Sequence, residues 1–310
     1  MDLSIVTTMY GSAPYLQEFY ERVADEAQKI TSSYEIIFVN DGSPDNSLDI
    51  AVKLYENDSK VRVLDLSRNF GHHKAMMTGL SHARGKLVFL IDCDLEEEPE
   101  LLDVFYQKRM ELDCDVVYGV QKNRKGNWFE KVTGAIYYRL LRQLSGIDFP
   151  KNVVTVRLMT RRYVKSLLRH RERELDMAGI WYITGYKQVS LTIIKHSKGE
   201  TTYNFSKKLG ILINAVTSFS NRPLIFIFYL GLLISSISAY CILDLVARKI
   251  LFGIGLEGWT SLIVSIWFIG GLIISFLGII GIYISKIFIE TKQRPYSIIR
   301  EIYQHSLKQK

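Results

Sequence analysis

Cysteine is scarce in this chain. Cys93, Cys114 and Cys241 are odd in number and show no paired spacing, which argues against a disulfide framework or a zinc site and for a reducing compartment. No GxxxxGK[ST] run occurs, so the phosphate-cradling loop of P-loop ATPases is missing. Gly253, Gly255 and Gly258 do match GxGxxG, but they lie between two apolar stretches and follow no strand signal, which speaks against dinucleotide binding. No signal peptide is expected, because MDLSIVTTMY opens directly on a strand-like run.

The absence with the widest consequence is of charge. No charged residue stands between Arg222 and Asp244, or between Glu257 and Lys286, and each gap is longer than the roughly 20 residues a membrane helix needs. LIFIFYLGLLISSISAYCIL and SLIVSIWFIGGLIISFLGIIGIYIS show no polar face, so two transmembrane helices are expected at about 223–246 and 260–286. Tyr229, Tyr240, Trp259 and Tyr283 stand near their ends, where aromatic belts form. Lys207, Lys208 and Arg222 precede the first span, Lys286 stands at the end of the second, and Lys292, Arg294 and Arg300 follow in a basic tail over 289–310. Both termini are therefore expected on the cytoplasmic face of an inner membrane. Leu209, Leu212, Ile213 and Val216 repeat at helical spacing behind the two lysines, predicting an interfacial amphipathic helix over 206–222. The net charge of +7 is assigned to anionic headgroups and not to nucleic acid. Gly270, Gly271, Gly278 and Gly281 would allow close helix packing, which leaves a homo-oligomer open.

Residues 1–205 read as one cytoplasmic globular domain. Strand signals at 3–8, 35–40, 61–66, 86–91 and 115–118 alternate with helical stretches near 14–30, 46–57, 72–84 and 99–111. Such alternation predicts an α/β domain, a mostly parallel sheet covered on both faces. Ligands of open sheets bind beyond the carboxyl ends of the strands, so the loops at 7–12, 40–46, 67–74 and 92–98 are the ones to inspect. The last follows LVFLIDCDLEEEPE, where an apolar run ends in Asp92-Cys93-Asp94. Carboxylates at i and i+2 on a strand end point the same way. Two unit charges about 4 Å apart repel by roughly 4 kcal/mol at an effective dielectric near 20, and a hard divalent cation, Mg²⁺ or Mn²⁺, would turn that repulsion into attraction. Cys93 between them is read as a buried small residue.

VNDGSPDNS, LSRNFGHHKAMMTGLSHARG and LIDCDLEEEPE, in that order, resemble family 2 glycosyltransferases of the Rossmann-like GT-A fold. Within that family the chain is most similar to polyprenyl-phosphate glycosyltransferases, namely dolichol-phosphate mannose synthases and bactoprenol glucosyltransferases. The resemblance implies that Asp41, in the loop shared with Ser43, contacts the nucleotide base and that Thr7 and Tyr10 line the base and ribose pocket. Arg68 and Asn69, in the RNFG turn, would lie beside the donor, and Asp92 and Asp94 would hold the nucleotide and its metal, with Glu96 where relatives often carry glutamine. Thr155 stands where several relatives carry an acidic residue two places before the arginine of RLM, so an acidic helper in the acceptor site is not expected.

A lipid phosphate has its second pKa near about 6 and needs no strong general base at neutral pH. Positioning and charge neutralisation are the main tasks. Arg124, Arg139 and Arg157, with Lys122 and Lys125 as weaker options, are the candidates for gripping the acceptor phosphate. His72 and His73 read as an exposed pair at a helix start, and Lys198 and Tyr203 as part of a mobile lid. The expected activity is inverting, metal-dependent transfer of a hexose, glucose from UDP-glucose being favoured, to undecaprenyl or another polyprenyl phosphate. Mannose or aminoarabinose transfer and a non-catalytic sugar-nucleotide binding protein are the alternatives. A processive synthase would call for more spans and a QxxRW motif, and the chain has neither.

Overall fold

The computed structural model describes residues 1–121, 152–196, 216–217, 220–252 and 258–305. They fall into two compact units: 1–121, 152–196 and 294–305 belong to the first, and 216–217, 220–252 and 258–293 to the second. Lys122, Lys125, Arg124, Arg139, Lys198, Tyr203 and most of the expected interfacial helix lie outside the described residues.

The first unit is built on alternating strands and helices: β1 (Leu3–Met9), α1 (Leu16–Ile30), β2 (Tyr34–Asn40), α2 (Ser47–Asn57), β3 (Val61–Leu66), α3 (His72–His82), β4 (Leu87–Leu90) and α4 (Leu101–Leu112). β5 (Val116–Gln121), β6 (Val153–Thr160), α5 (Arg161–Leu167), α6 (Met177–Ile183) and β7 (Gln188–Ile193) follow. A last strand, β8 (Ile299–Tyr303), comes from the far end of the chain, and the eight strands form one sheet in the order β7-β5-β6-β4-β1-β2-β3-β8. β1 pairs in parallel with β2 and β4, β2 with β3, and β5 with β7, whereas β6 and β8 run antiparallel to their neighbours. β1, β2 and β3 are buried along their whole length, as expected of central strands covered on both faces. Ile5, Phe19, Phe38, Phe89 and Phe105 pack on one face, and Val6, Leu64, Met76, Leu80, Tyr163 and Trp181 on the other.

The first four of the five expected strands form within a residue or two of their predicted limits, and the fifth forms as β5, ending three residues later than predicted. The strands β6, β7 and β8 were not foreseen. β8 arises inside the stretch read as a basic tail, and Arg300 there is bound into the sheet.

The second unit holds two long helices, α7 (Arg222–Phe252) and α8 (Trp259–Thr291). Among the described residues one segment, Ser265–Thr291, is long and apolar enough to cross a membrane by length and composition, and Arg222–Ser238 is a shorter apolar stretch. Phe226, Trp267 and Ile274 are 66%, 79% and 72% exposed.

Candidate active site

Four strand-to-helix loops converge at the carboxyl ends of β1 to β4, and their side chains lock the loops to one another. The β1 loop turns at Gly11, whose N–H donates to Ser43 Oγ at 2.7 Å, and Ser12 and Ala13 N–H donate to Ser47 Oγ and Asp45 Oδ2, both at 3.0 Å. Ser43 Oγ in turn donates to Asp45 Oδ1 at 2.6 Å. The helix start expected around Asp45 and Ser47 is thus also a clamp on the neighbouring loop. Tyr10 projects from its end, 58% exposed, while Thr7 is fully enclosed in the sheet and does not open to solvent.

Asp41 is nearly enclosed and holds the β3 loop. Its two carboxylate oxygens accept from Phe70 N–H at 2.7 Å and Gly71 N–H at 3.0 Å. Burial raises its pKa and the two amides oppose that rise, as expected of an anion that hydrogen bonds stabilise inside a fold. Each carboxylate oxygen keeps a second acceptor position. In the same turn the Arg68 guanidinium lies 4.1 Å from the centre of the Phe70 ring and donates to Asn69 O at 2.9 Å.

The acidic loop after β4 is shaped by a backbone exception, Leu95 at φ 61°. Asp94 Oδ1 accepts from Glu96 N–H at 3.0 Å, and the Cys93 thiol is turned inward onto Thr8 O, its pKa pushed up to about 12 by burial. Cys93 is therefore the buried small residue the sequence suggested. Burial raises the pKa of Asp94, and the charges of Asp92 and Glu96 add to the rise. That surplus of negative charge is what a divalent cation would relieve, and hard carboxylate oxygens are the donors such an ion prefers. Among the described residues no three acidic, histidine or cysteine side chains already surround a common point.

Several neighbours were not predicted. His72 is tied to the acidic loop and not merely exposed, since Nε2 lies 3.4 Å from Asp92 Oδ1 while Nδ1 lies 3.0 Å from Thr8 Oγ1. Lys195, beyond β7, sets its ammonium 3.1 Å from Glu96 and 3.8 Å from Glu97. His196 adds a contact to Glu98 at 2.9 Å and a backbone bond to Glu96 O. Nothing local marks Lys195, which lies about a hundred residues from its partners in the chain. Arg157 is inside the fold: its guanidinium stacks on Trp181 and donates to the carbonyls of Thr155 and Val154, both at 3.0 Å.

Glu97 is the most confined group of the loop, 0% exposed, and neither of its oxygens has a hydrogen-bond partner among the described residues. Burial first, and then the charge of Asp92, push its pKa from 4.5 up to about 7. Between those values the folded protein keeps a proton that the unfolded chain has released, so stability falls as pH rises through this window. The loss amounts to about 3 kcal/mol by pH 8. Glu97→Gln keeps the shape without the charge and is expected to remove most of that loss. Denaturant unfolding in detergent without added metal, at pH 5 and pH 8, checks it: equal pH dependence in the two proteins would refute the assignment.

An α/β domain with this strand order, a covered and mostly parallel sheet and an acidic loop at its carboxyl edge has the GT-A fold. Residues 4–168 match the description "Glycosyl transferase family 2", and the chain belongs to that family. A Mycobacterium tuberculosis protein is 55% identical over 99% of this chain and 90% of its own length. The bactoprenol glucosyl transferase of Shigella phage SfV is 32% identical over 97% of this chain and 98% of its own. Among solved structures, glucosyl-3-phosphoglycerate synthase from Mycobacterium tuberculosis superposes with a TM-score of 0.50 at 14% identity, covering 70% or more of either chain. That last likeness concerns the fold alone.

Proposed function

We propose that this glycosyltransferase moves a hexose from a nucleoside diphosphate sugar, UDP-glucose in the favoured reading, to a polyprenyl phosphate at the cytoplasmic face of the inner membrane. The carrying observation is that the interlocked loops after β1, β2 and β3, which hold Ser43 and Asp41, meet the acidic loop through Thr8 and His72, which contact Cys93 and Asp92. Full-length similarity to a bactoprenol glucosyl transferase supports the lipid acceptor. The apolar helices α7 and α8 support membrane anchoring by two spans. That 1–121 and 294–305 belong to one unit supports an even number of crossings.

The chain's own residues divide the work. The amides of the Asp41-bound turn and the Ser43 clamp preform the donor loops, so that less ordering accompanies nucleotide binding. Asp92, Asp94 and Glu96 would hold Mg²⁺ or Mn²⁺, which supplies charge neutralisation for the departing nucleoside diphosphate. Lys195 places a second positive charge against the same loop. Basic side chains, with Arg124, Arg139 and Lys122 as candidates, grip the acceptor phosphate. Arg157, stacked and buried, acts from beneath as a fixed positive charge. The acceptor oxygen displaces the diphosphate from the sugar C1 in line, inverting the anomeric centre, so an α-linked donor gives a β-linked lipid phosphate sugar. A coupled assay for nucleoside diphosphate release over a panel of donors tests the reading. Release that requires polyprenyl phosphate is expected, and release indifferent to it, or none with any donor, contradicts it.

A further inference from the structure

We infer that the strand which follows the long helices, β8, completes the donor site, with Arg300 as a positioning residue that acts through Asp65 and Asn40 on the loop of Ser43. The inference rests on the proposed reading that this loop holds the nucleotide. Asp65, on β3, is 1% exposed, a carboxylate inside the sheet, and it needs a cation and hydrogen bonds to lie there. Arg300 supplies both: Nε and Nη2 reach Asp65 Oδ2 at 2.6 and 2.5 Å. The β3–β8 register shifts between Asp65 and Leu66, and Ser67 N–H bonds to Ile298 O across the irregularity.

The other oxygen of Asp65 faces its register partner on β2. Oδ1 accepts from Asn40 Nδ2 at 2.8 Å, and Asn40 Oδ1 accepts from Ser43 N–H at 3.1 Å. An asparagine amide has one donating and one accepting end, and an ionised carboxylate accepts only. Asp65 therefore dictates which end of Asn40 meets Ser43. With the amide turned the other way, two N–H groups would oppose each other and the Ser43 turn would be lost. Ser43 is also the residue that receives Gly11 N–H, so the orientation fixed at Asp65 reaches the loops after both β1 and β2. Lacking Arg300, the buried carboxylate would draw in water or another donor and release the amide.

The test is made on the full chain in detergent. Arg300→Gln is expected to raise the donor KM, and the dissociation constant for UDP, by about 10-fold, while kcat and the acceptor KM stay within about 2-fold. Arg300→Lys, which keeps the charge, restores at least half of the affinity. Asp65→Asn, whose amide can donate or accept, reproduces the Arg300→Gln effect. Glu301→Gln, on the same strand but facing solvent, leaves every constant unchanged. A donor KM unmoved in Arg300→Gln, or a fall confined to kcat with equal melting temperature, overturns the inference while leaving the donor reading intact. If the unaltered protein binds neither UDP nor GDP, the donor reading itself fails and the inference falls with it.

Discussion

Replacing Asp94 by alanine lowers sugar transfer by roughly 10³-fold or more, the scale seen when a metal or electrostatic contact to the developing charge is removed. The expectation follows from where Asp94 sits. Its Oδ1 accepts from the amide of Glu96, two residues away, in the loop bent at Leu95. Burial and two like charges raise its pKa, so the folded state carries Asp94 as an electrostatic burden. Removing it should leave the melting temperature the same or slightly higher. Lost activity with retained stability is the signature of a residue placed for a ligand. Transfer by Asp94→Ala at a rate within about 10-fold of the parent would remove the metal role assigned to it.

Gly42→Ala is expected to damage both fold and donor binding. Gly42 has φ +64°, and a Cβ there would lie 2.5 Å from Asn69 N and 2.7 Å from Arg68 C, both backbone atoms that cannot swing aside. The left-handed conformation alone costs a side chain about 1 kcal/mol, and displacing the β3 loop would cost more, about 2–4 kcal/mol in all. Asp41 and the Phe70 and Gly71 amides would separate, because that loop is the one pushed away. A donor kcat/KM lower by roughly 10²-fold follows from a misplacement near 1 Å. Thermal unfolding and donor kinetics check it together. Near-normal values in both would mean that this close packing of the two loops does not hold in solution.

The sequence made the parallel half of the sheet readable because its signals are local. Each of β1 to β4 is an apolar run punctuated by a polar loop, and each helix between them shows its own periodicity. The acidic loop announced itself through Asp92, Cys93 and Asp94 for the same reason. β8 was invisible because nothing in Ile299–Tyr303 resembles a buried strand: Arg300 and Glu301 interrupt it, and its partner β3 lies more than two hundred residues earlier. Lys195 and Trp181 were missed likewise, their roles being set by contacts that only the closed sheet creates. Arg157 shows the opposite failing, since an arginine offered as a candidate grip on the acceptor phosphate is enclosed in the core, 1% exposed.

One measurement tests metal-dependent transfer to the lipid most directly. The detergent-purified chain is incubated with polyprenyl phosphate, Mn²⁺ or Mg²⁺ and UDP-[¹⁴C]glucose, and radioactivity is followed into the organic phase with and without exhaustive chelation. Label is expected in the lipid extract, lost when the metal is withdrawn and regained when it is restored. Label that stays in the aqueous phase with UDP-glucose, GDP-mannose and aminoarabinose donors alike, or lipid labelling undiminished by chelation, would contradict it.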